Sequence, residues 1–398
     1  MFSAFFSDSR IEDTDFISTN LNNETDFSSS EIKRVKFRKV DFTKLIKKLP
    51  ADLSECEFTM CDLENMELSK SNLNNAVLNE SNLNGVSFKE SVLTGVEFKK
   101  CQLNEINFSG IDLTGTDFAN AELAGAKFTG CNLTDSDFSK AELKLADFSR
   151  SLLKDAILSG SNLTEADFKE AELDYVQLKG CVIDGIKFKN TKITNTDFEG
   201  VDLTKAFIEN SCFILCNLKQ ANLAGMNLTG CVLTDSDLSE ANLEKIKLDK
   251  ADCTQVNFRK ANISSASVKN AICNTADFSE ARVNNVDFSD SDMKASRFND
   301  SSLKGANFKN TKSERCEFIN ADCTEAKFKN AVIIFSDFSH ANLTKADFTD
   351  ADLTQSKLHR IIESGTNWHG ANRKKAEYTD KDLAEAEDFK TPKKGKNA

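Results

Sequence analysis

The chain has 398 residues, with 51 Lys and Arg against 63 Asp and Glu, and a formal charge of −12 at neutral pH. That balance argues against a nucleic-acid binder working through a basic surface, and no apolar run is long enough to span a membrane. Twelve cysteines could mark a disulfide framework or a zinc site, yet no Cys-x-x-Cys pair occurs.

The first 50 residues are the least regular. Met1 to Phe6 is apolar but lacks a basic leader and meets Asp8 at once, which does not fit a signal peptide. Cytoplasm is therefore the default expectation, with signal-independent export left open. Phe16 and Leu21 keep a five-residue step, and Phe27, Ile32, Phe37 and Phe42 keep it in another phase. Slips are expected near 22–26 and 43–50, with Thr43–Pro50 a short helix or loop. The segment Lys33, Arg34, Lys36, Arg38, Lys39, Lys44, Lys47 and Lys48 gives residues 31–48 a local charge of +6. It is read as a solvated end in preference to a nucleic-acid or lipid contact. Residues 1–50 are expected to form an N-terminal cap with imperfect repeats, because an open coil exposes backbone edges and core.

From Leu53 to Leu358 an apolar side chain recurs at every fifth residue, and of 62 such positions only Ser313 is polar. Two residues before each stands a small or apolar residue, such as Cys56, Cys61, Ala121 or Ala126. Five is neither the helix period nor the strand period. A short extended stretch followed by a sharp corner, repeated, keeps every fifth side chain inside and stacks the turns as a β-solenoid. The corners have a marker: all 15 glycines between Ala51 and Asn372 fall on positions divisible by five, and Asn is common there. Both tolerate the positive φ of tight turns. Leu and Phe alternate with period ten, as in Leu113, Phe118, Leu123 and Phe128. Opposite sides of a four-sided coil then carry like residues and fill the lumen jointly.

Eleven of the cysteines occupy the two inward slots, where Cys serves as a small hydrophobe; Cys212 alone is expected to face outward. Reduced thiols in a reducing compartment follow. Beyond Leu358 the register persists to Trp368, with Tyr378 and Leu383 still in phase. Lys381–Lys390 is helix-forming, with Leu383, Ala386 and Phe389 on one side, and is expected to lid the last coil. Thr391–Ala398 is expected to be a disordered tail. The division is 1–50 cap, 51–380 repeat β-helix, and 381–398 capping helix and tail.

Units such as Ala121-Glu122-Leu123, Ala166-Asp167-Phe168, Ala221-Asn222-Leu223 and Ala351-Asp352-Leu353 resemble the A(D/N)Lxx motif of the pentapeptide-repeat family. The resemblance covers about four-fifths of the chain. It implies an all-β fold, a right-handed quadrilateral β-helix of about 15–16 coils of 20 residues, with a short C-terminal helical cap. At about 4.8 Å per rung such a rod is about 75 Å long.

No catalytic residue, cofactor or metal site emerges: there is no phosphate loop, nucleophile elbow or HExxH. His340, His359 and His369 are read as scattered surface residues, although the first two fall on adjacent coils. The surface is the functional candidate. Its acidic face carries Glu97, Asp117, Asp137, Asp197, Asp237 and Asp277. Its apolar candidate is a patch of Leu152, Tyr175, Phe207, Cys212, Ile214, Leu215 and Val232, and a contiguous apolar patch points to a partner. The expected function is a non-enzymatic scaffold that binds another protein through one face, with a homodimer left open and no direct nucleic-acid binding. The alternative rests on the resemblance, since some members of the family mimic DNA and bind type II topoisomerases. Against it, duplex DNA of 75 Å carries about 44 charges, whereas residues 49–372 carry a net −15. The register also leaves no room between 51 and 358 for the projecting loops that some resistance proteins of that family carry.

Overall fold

A computed structural model describes residues 6–46 and 48–389. The expectations for Met1–Phe5, for Lys47 and for the tail after Phe389 lie outside the described residues. The described chain is a parallel β-solenoid with one short helix. It divides into two compact units, Met1–Phe198 with Lys205–Asn217, and Glu199–Thr204 with Leu218–Ala398.

Each five-residue side is built the same way. One residue makes a parallel bridge to its equivalent 20 residues on, as in Asp52 to Asn72 and Asn72 to Val92. The Leu53 N–H donates to the Asn72 carbonyl at 2.8 Å and the Asn72 N–H to the Ala51 carbonyl at 2.7 Å, the slanted pattern of parallel pairing. The next residue points inward and is buried, and the fifth turns the corner at positive φ. Most sides are single bridges. The longer strands are β1 Arg10–Glu12, β2 Asp15–Ile17, β3 Glu31–Lys33, β4 Lys36–Arg38, β5 Glu57–Thr59, β6 Leu152–Lys154, β7 Glu172–Asp174, β8 Lys187–Lys189, β9 Lys192–Thr194, β10 Phe207–Glu209 and β11 Cys212–Ile214.

In the first unit the core is two ladders of stacked rings. Phe98, Phe118 and Phe138 stack at 5.0 and 4.8 Å, and Phe128 meets Phe138 edge-on at 5.3 Å. The expected slips are present. β1 pairs β3, β2 pairs β4 and β4 pairs β5, with steps of 21 residues instead of 20. The extra residues fall where the phase changed. Phe27, Phe37 and Phe42 are fully buried, so residues 10–46 are coils of the solenoid itself. No helix forms in the described part of 43–50.

In the second unit the ladders run Phe258–Phe278–Phe298–Phe318–Phe338 and Phe288–Phe308–Phe328–Phe348–Trp368. Beyond Leu358 the register slot changes residue type, holding Glu363 and Tyr378, both exposed, and Trp368 and Arg373, both half-buried. Trp368 stacks on Phe348 at 4.5 Å, its indole N–H donates to Glu363 at 3.0 Å, and the Arg373 guanidinium lies 4.8 Å over its ring. The helix α1, Lys381–Asp388, is N-capped by Asp380, whose carboxylate accepts from the Asp382 and Leu383 N–H groups. The apolar lid expected of it is not observed. None of its residues is buried, Leu383 and Phe389 are exposed, and so is Ala386. The helix is held by polar contacts.

Candidate interaction surface

Outward side chains are the only chemistry such a fold offers a partner, so each candidate face has to be built rung by rung. In the first unit the column through the acidic slot reads Asp15, Lys36, Glu57, Val77, Glu97, Asp117, Asp137, Ile157, Gln177, Asp197 and Asn217. Only Glu97, Asp117 and Asp137 are consecutive acids. Lys99 lies 3.2 Å from Glu97 and 3.0 Å from Asp117, neutralising part of that run. In the second unit the corresponding column is Asp237, Asn257, Asp277, Arg297, Glu317, Asp337, Lys357 and Glu377. Asp237 accepts from the Asn257 amide at 2.9 Å, and Asp277 pairs with Arg297. Asp197 accepts from the Asn217 amide at 2.8 Å.

These carboxylates have a structural role. Asp117, Asp137, Asp237 and Asp277 each accept the backbone N–H two residues on, at 2.7–3.0 Å. The acid therefore fixes the corner that follows. The same use recurs outside the candidate face, where Asp147 accepts from Ser149 and Asp322 from Thr324.

The apolar candidates are not one continuous patch. Leu152 and Cys212 share a column, but Glu172 and Lys192 stand between them and pair at 3.6 Å. Tyr175 is a corner residue at φ 55° beside Asn195, which donates to Asp174. The dense part is Phe207, Cys212, Ile214 and Leu215, on β10, β11 and the following corner. Phe207 is 66% exposed and Leu215 55%, with Cys212 and Ile214 half-buried. Val232 is half-buried and belongs to the second unit. Val182, 52% exposed, is a further apolar outward residue of the first unit that the sequence reading did not single out.

The basic N-terminal segment is largely engaged. Arg34 pairs with Glu12 and Asp13, Lys36 and Arg38 with Glu57, and Lys44 with Asp41. The Arg34 hydrogen bond holds the Asp13 carboxyl below the usual range. Part of the charge that looks basic in the sequence is matched by acids, one coil away for Arg34, Lys36 and Arg38 and on the same coil for Lys44.

The histidines are not all scattered. His359 is 6% exposed, which corrects the surface reading, and its Nε2 lies 3.2 Å from Glu387 of α1. His340 Nε2 lies 3.3 Å from the other oxygen of Glu387. Arg360 binds Glu387 at 3.0 Å and both oxygens of Asp388 at 2.7–2.8 Å. The hydrogen bond from His359, then that from Arg360, keeps the Glu387 carboxyl below its ordinary range against a desolvation that raises it. A cleft of about 390 Å³ opens beside this cluster, lined among others by Asp337, Lys357, Tyr378 and Leu383. The register brought the two histidines to adjacent coils; nothing in it announced the carboxylate.

No helix among the described residues is long and apolar enough to cross a membrane. The family model described as pentapeptide repeat region matches residues 51–128, 91–157 and 131–208. That described as pentapeptide repeats (8 copies) matches 211–249, 236–272, 271–310, 296–333 and 316–360. No curated protein matches the chain. Among solved structures, HetL, a pentapeptide repeat protein involved in heterocyst differentiation regulation in the cyanobacterium Nostoc, is 20% identical. It covers 71% of this chain and 89% of its own, with a TM-score of 0.22. A trypsin-treated form of QnrB1, a plasmid-mediated fluoroquinolone resistance protein, is 18% identical over 50% of this chain and 93% of its own, with a TM-score of 0.34. A pentapeptide repeat protein of the Arabidopsis thaliana thylakoid lumen is 31% identical over 25% of this chain and 66% of its own, with a TM-score of 0.20. Likeness at these TM-scores carries no function across.

Proposed function

The chain belongs to the pentapeptide-repeat family, and from that premise we propose that it is a non-enzymatic scaffold that docks another protein on the segment Phe207–Leu215 of the first unit. The observation that carries the reading is the exposure of Phe207 (66%) and Leu215 (55%) on successive sides of one coil. Leu215 also sits at φ 56°, a conformation that costs a non-glycine residue about 1–2 kcal/mol. An apolar side chain that is both strained and solvated returns nothing to folding, whereas burial against a partner recovers its hydration cost. The acids of the repeat serve as turn caps, which is the bland alternative to catalysis. The thiols of the inward slots suit a reducing, cytoplasmic setting.

Affinity capture from the source cell with wild-type protein and with Phe207→Glu/Leu215→Glu tests the site. The expected result is loss of the captured partner at an unchanged melting temperature. An identical partner set with both proteins would show that the segment is not the docking site. Sedimentation of the same pair distinguishes a second copy of this chain from a different partner.

A second reading, a DNA mimic acting on a type II topoisomerase, is favoured by the consecutive acids Glu97, Asp117 and Asp137. The interruptions at Val77, Ile157 and Gln177 and the Lys99 pairing weaken it. Gyrase supercoiling that is unaffected at micromolar protein would eliminate it.

A further inference from the structure

We propose that His340, His359 and Glu387 form a binding site for a divalent transition-metal ion of the zinc class, which clips α1 to the last coils of the second unit. The three donor atoms come from two adjacent coils and the helix, and all lie within 4.8 Å of one another. The two imidazole Nε2 atoms stand 3.3 and 3.2 Å from the two oxygens of Glu387. Donors bound at 2.0–2.1 Å in a tetrahedron lie about 3.3 Å apart, so one of the two contacts already has the length of a tetrahedral edge and the other imidazole must re-aim onto the same oxygen. Two imidazoles and a carboxylate suit zinc and its neighbours. They do not suit calcium or magnesium, which take oxygen ligands.

A second observation is independent of the donor set. No residue of α1 is buried, and eight residues do not hold a helix by themselves. Its N-cap, the Glu387 contacts and the Arg360–Asp388 pair keep it in place. A metal shared between Glu387 and two coil histidines would tie down an element that packing leaves loose.

Contacts around the cluster must change. The Asp380 N–H donates to His359 Nδ1 at 3.2 Å. That bond assigns the His359 proton to Nε2, so coordination through Nε2 moves the proton to Nδ1 and gives up the Asp380 contact. Arg360 would leave Glu387 but retain both oxygens of Asp388. The imidazole contacts to Glu387, one long N···N contact and one shared ion pair are exchanged for coordinate bonds. The cleft lined by Asp337, Lys357 and Tyr378 adjoins the three donors, and water from it would complete a site with three protein ligands.

The test is calorimetric titration of the chelator-stripped full chain with zinc chloride. One saturable site per chain is expected, with a dissociation constant of about 10 µM or lower, and none with magnesium or calcium. Glu387→Gln and His340→Ala, both on partly exposed side chains, should each weaken it at least about tenfold, while His369→Ala leaves it unchanged. Zinc should slow amide exchange across residues 381–388 in the wild type and not in Glu387→Gln. Absence of a saturable site at about 100 µM zinc, or binding that survives both substitutions, overturns the proposal.

Discussion

The slot two residues before each inward Leu or Phe asks for more than small size. Ser81 donates to the Phe58 carbonyl at 2.7 Å, Thr191 to Phe168 at 2.8 Å and Ser291 to Val268 at 2.6 Å. Cys101 and Cys131 make the same contact to Leu78 and Phe108 at 2.9 and 3.0 Å. In this slot Cys replaces Ser or Thr as a small buried donor. Burial is the main cause that pushes the Cys101 thiol up to about 12 and Cys131 to about 11, against the carbonyl hydrogen bonds. A thiol reagent attacks the thiolate, so native protein at pH 7.5 should show one fast equivalent, at Cys212. Cys181, half-buried but bonded to Leu158, should react slowly and the remaining ten only on unfolding. Cys212→Ser should abolish the fast phase, and several fast equivalents would contradict the burial. The outward placement of Cys212 was legible from its position in the register alone. The bonding role of the cysteines in the small slot was not, because a sequence states a slot's size but not where its donor points.

At the scale of one five-residue side, the corner is the most constrained point. Non-glycine residues turn it at φ of about +48 to +63°, including Leu145, Tyr175, Leu215 and Phe335. Among the positions divisible by five from 55 to 375, Thr275 is the lone β-branched residue, and its φ is 58°. A β-branched side chain at positive φ is strained beyond the usual cost. Thr275→Asn should therefore raise stability by about 1 kcal/mol. Asn310→Val should lower it by at least as much and also removes the amide bond to Asp290. Thermal midpoints of the two variants check both signs, and a fall for Thr275→Asn would show that the corner does not select against β-branching. The sequence marks these corners with Gly and Asn, yet the geometry is imposed on every residue type, because the ladder on either side fixes the turn. The phase slips were equally legible, since a 21-residue step must displace the apolar series by one. The cluster at α1 was not. Glu387 lies 28 residues beyond His359, outside any repeat, and the amphipathic pattern of 381–389 promised a lid that its exposed Leu383 and Phe389 do not make.

Across the molecule, stability against pH depends on which groups the repeat buries. Asp147, Asp287 and Asp322 are partly desolvated, which raises a carboxyl, but hydrogen bonds from Ser149, Ser289 and Thr324 win and hold each below its ordinary range. A carboxyl depressed in the folded state contributes stability above its unfolded value of about 3.9 and loses it as the pH falls further. The thiols act in the opposite direction. Desolvation takes Cys61 and Cys131 to about 11, and Cys101, Cys216 and Cys316 to about 12. The unfolded chain releases these protons near pH 8.5. Between there and pH 11 the folded state holds more protons than the unfolded one, so stability falls as the pH rises. The limiting slope is about 1.4 kcal/mol per thiol per pH unit, about 7 kcal/mol per unit for these five together. The thermal midpoint should therefore be flat from about pH 5 to 8, decline below about pH 4, and fall much more steeply above about pH 9. Cys56, Cys181, Cys253 and Cys323 are raised in the same direction, so replacing Cys101 and Cys316 by Ala should lower the plateau slightly and make the alkaline limb shallower by about one-fifth. An alkaline slope identical in the two proteins would mean that lysine deprotonation, not thiol burial, sets the upper limit.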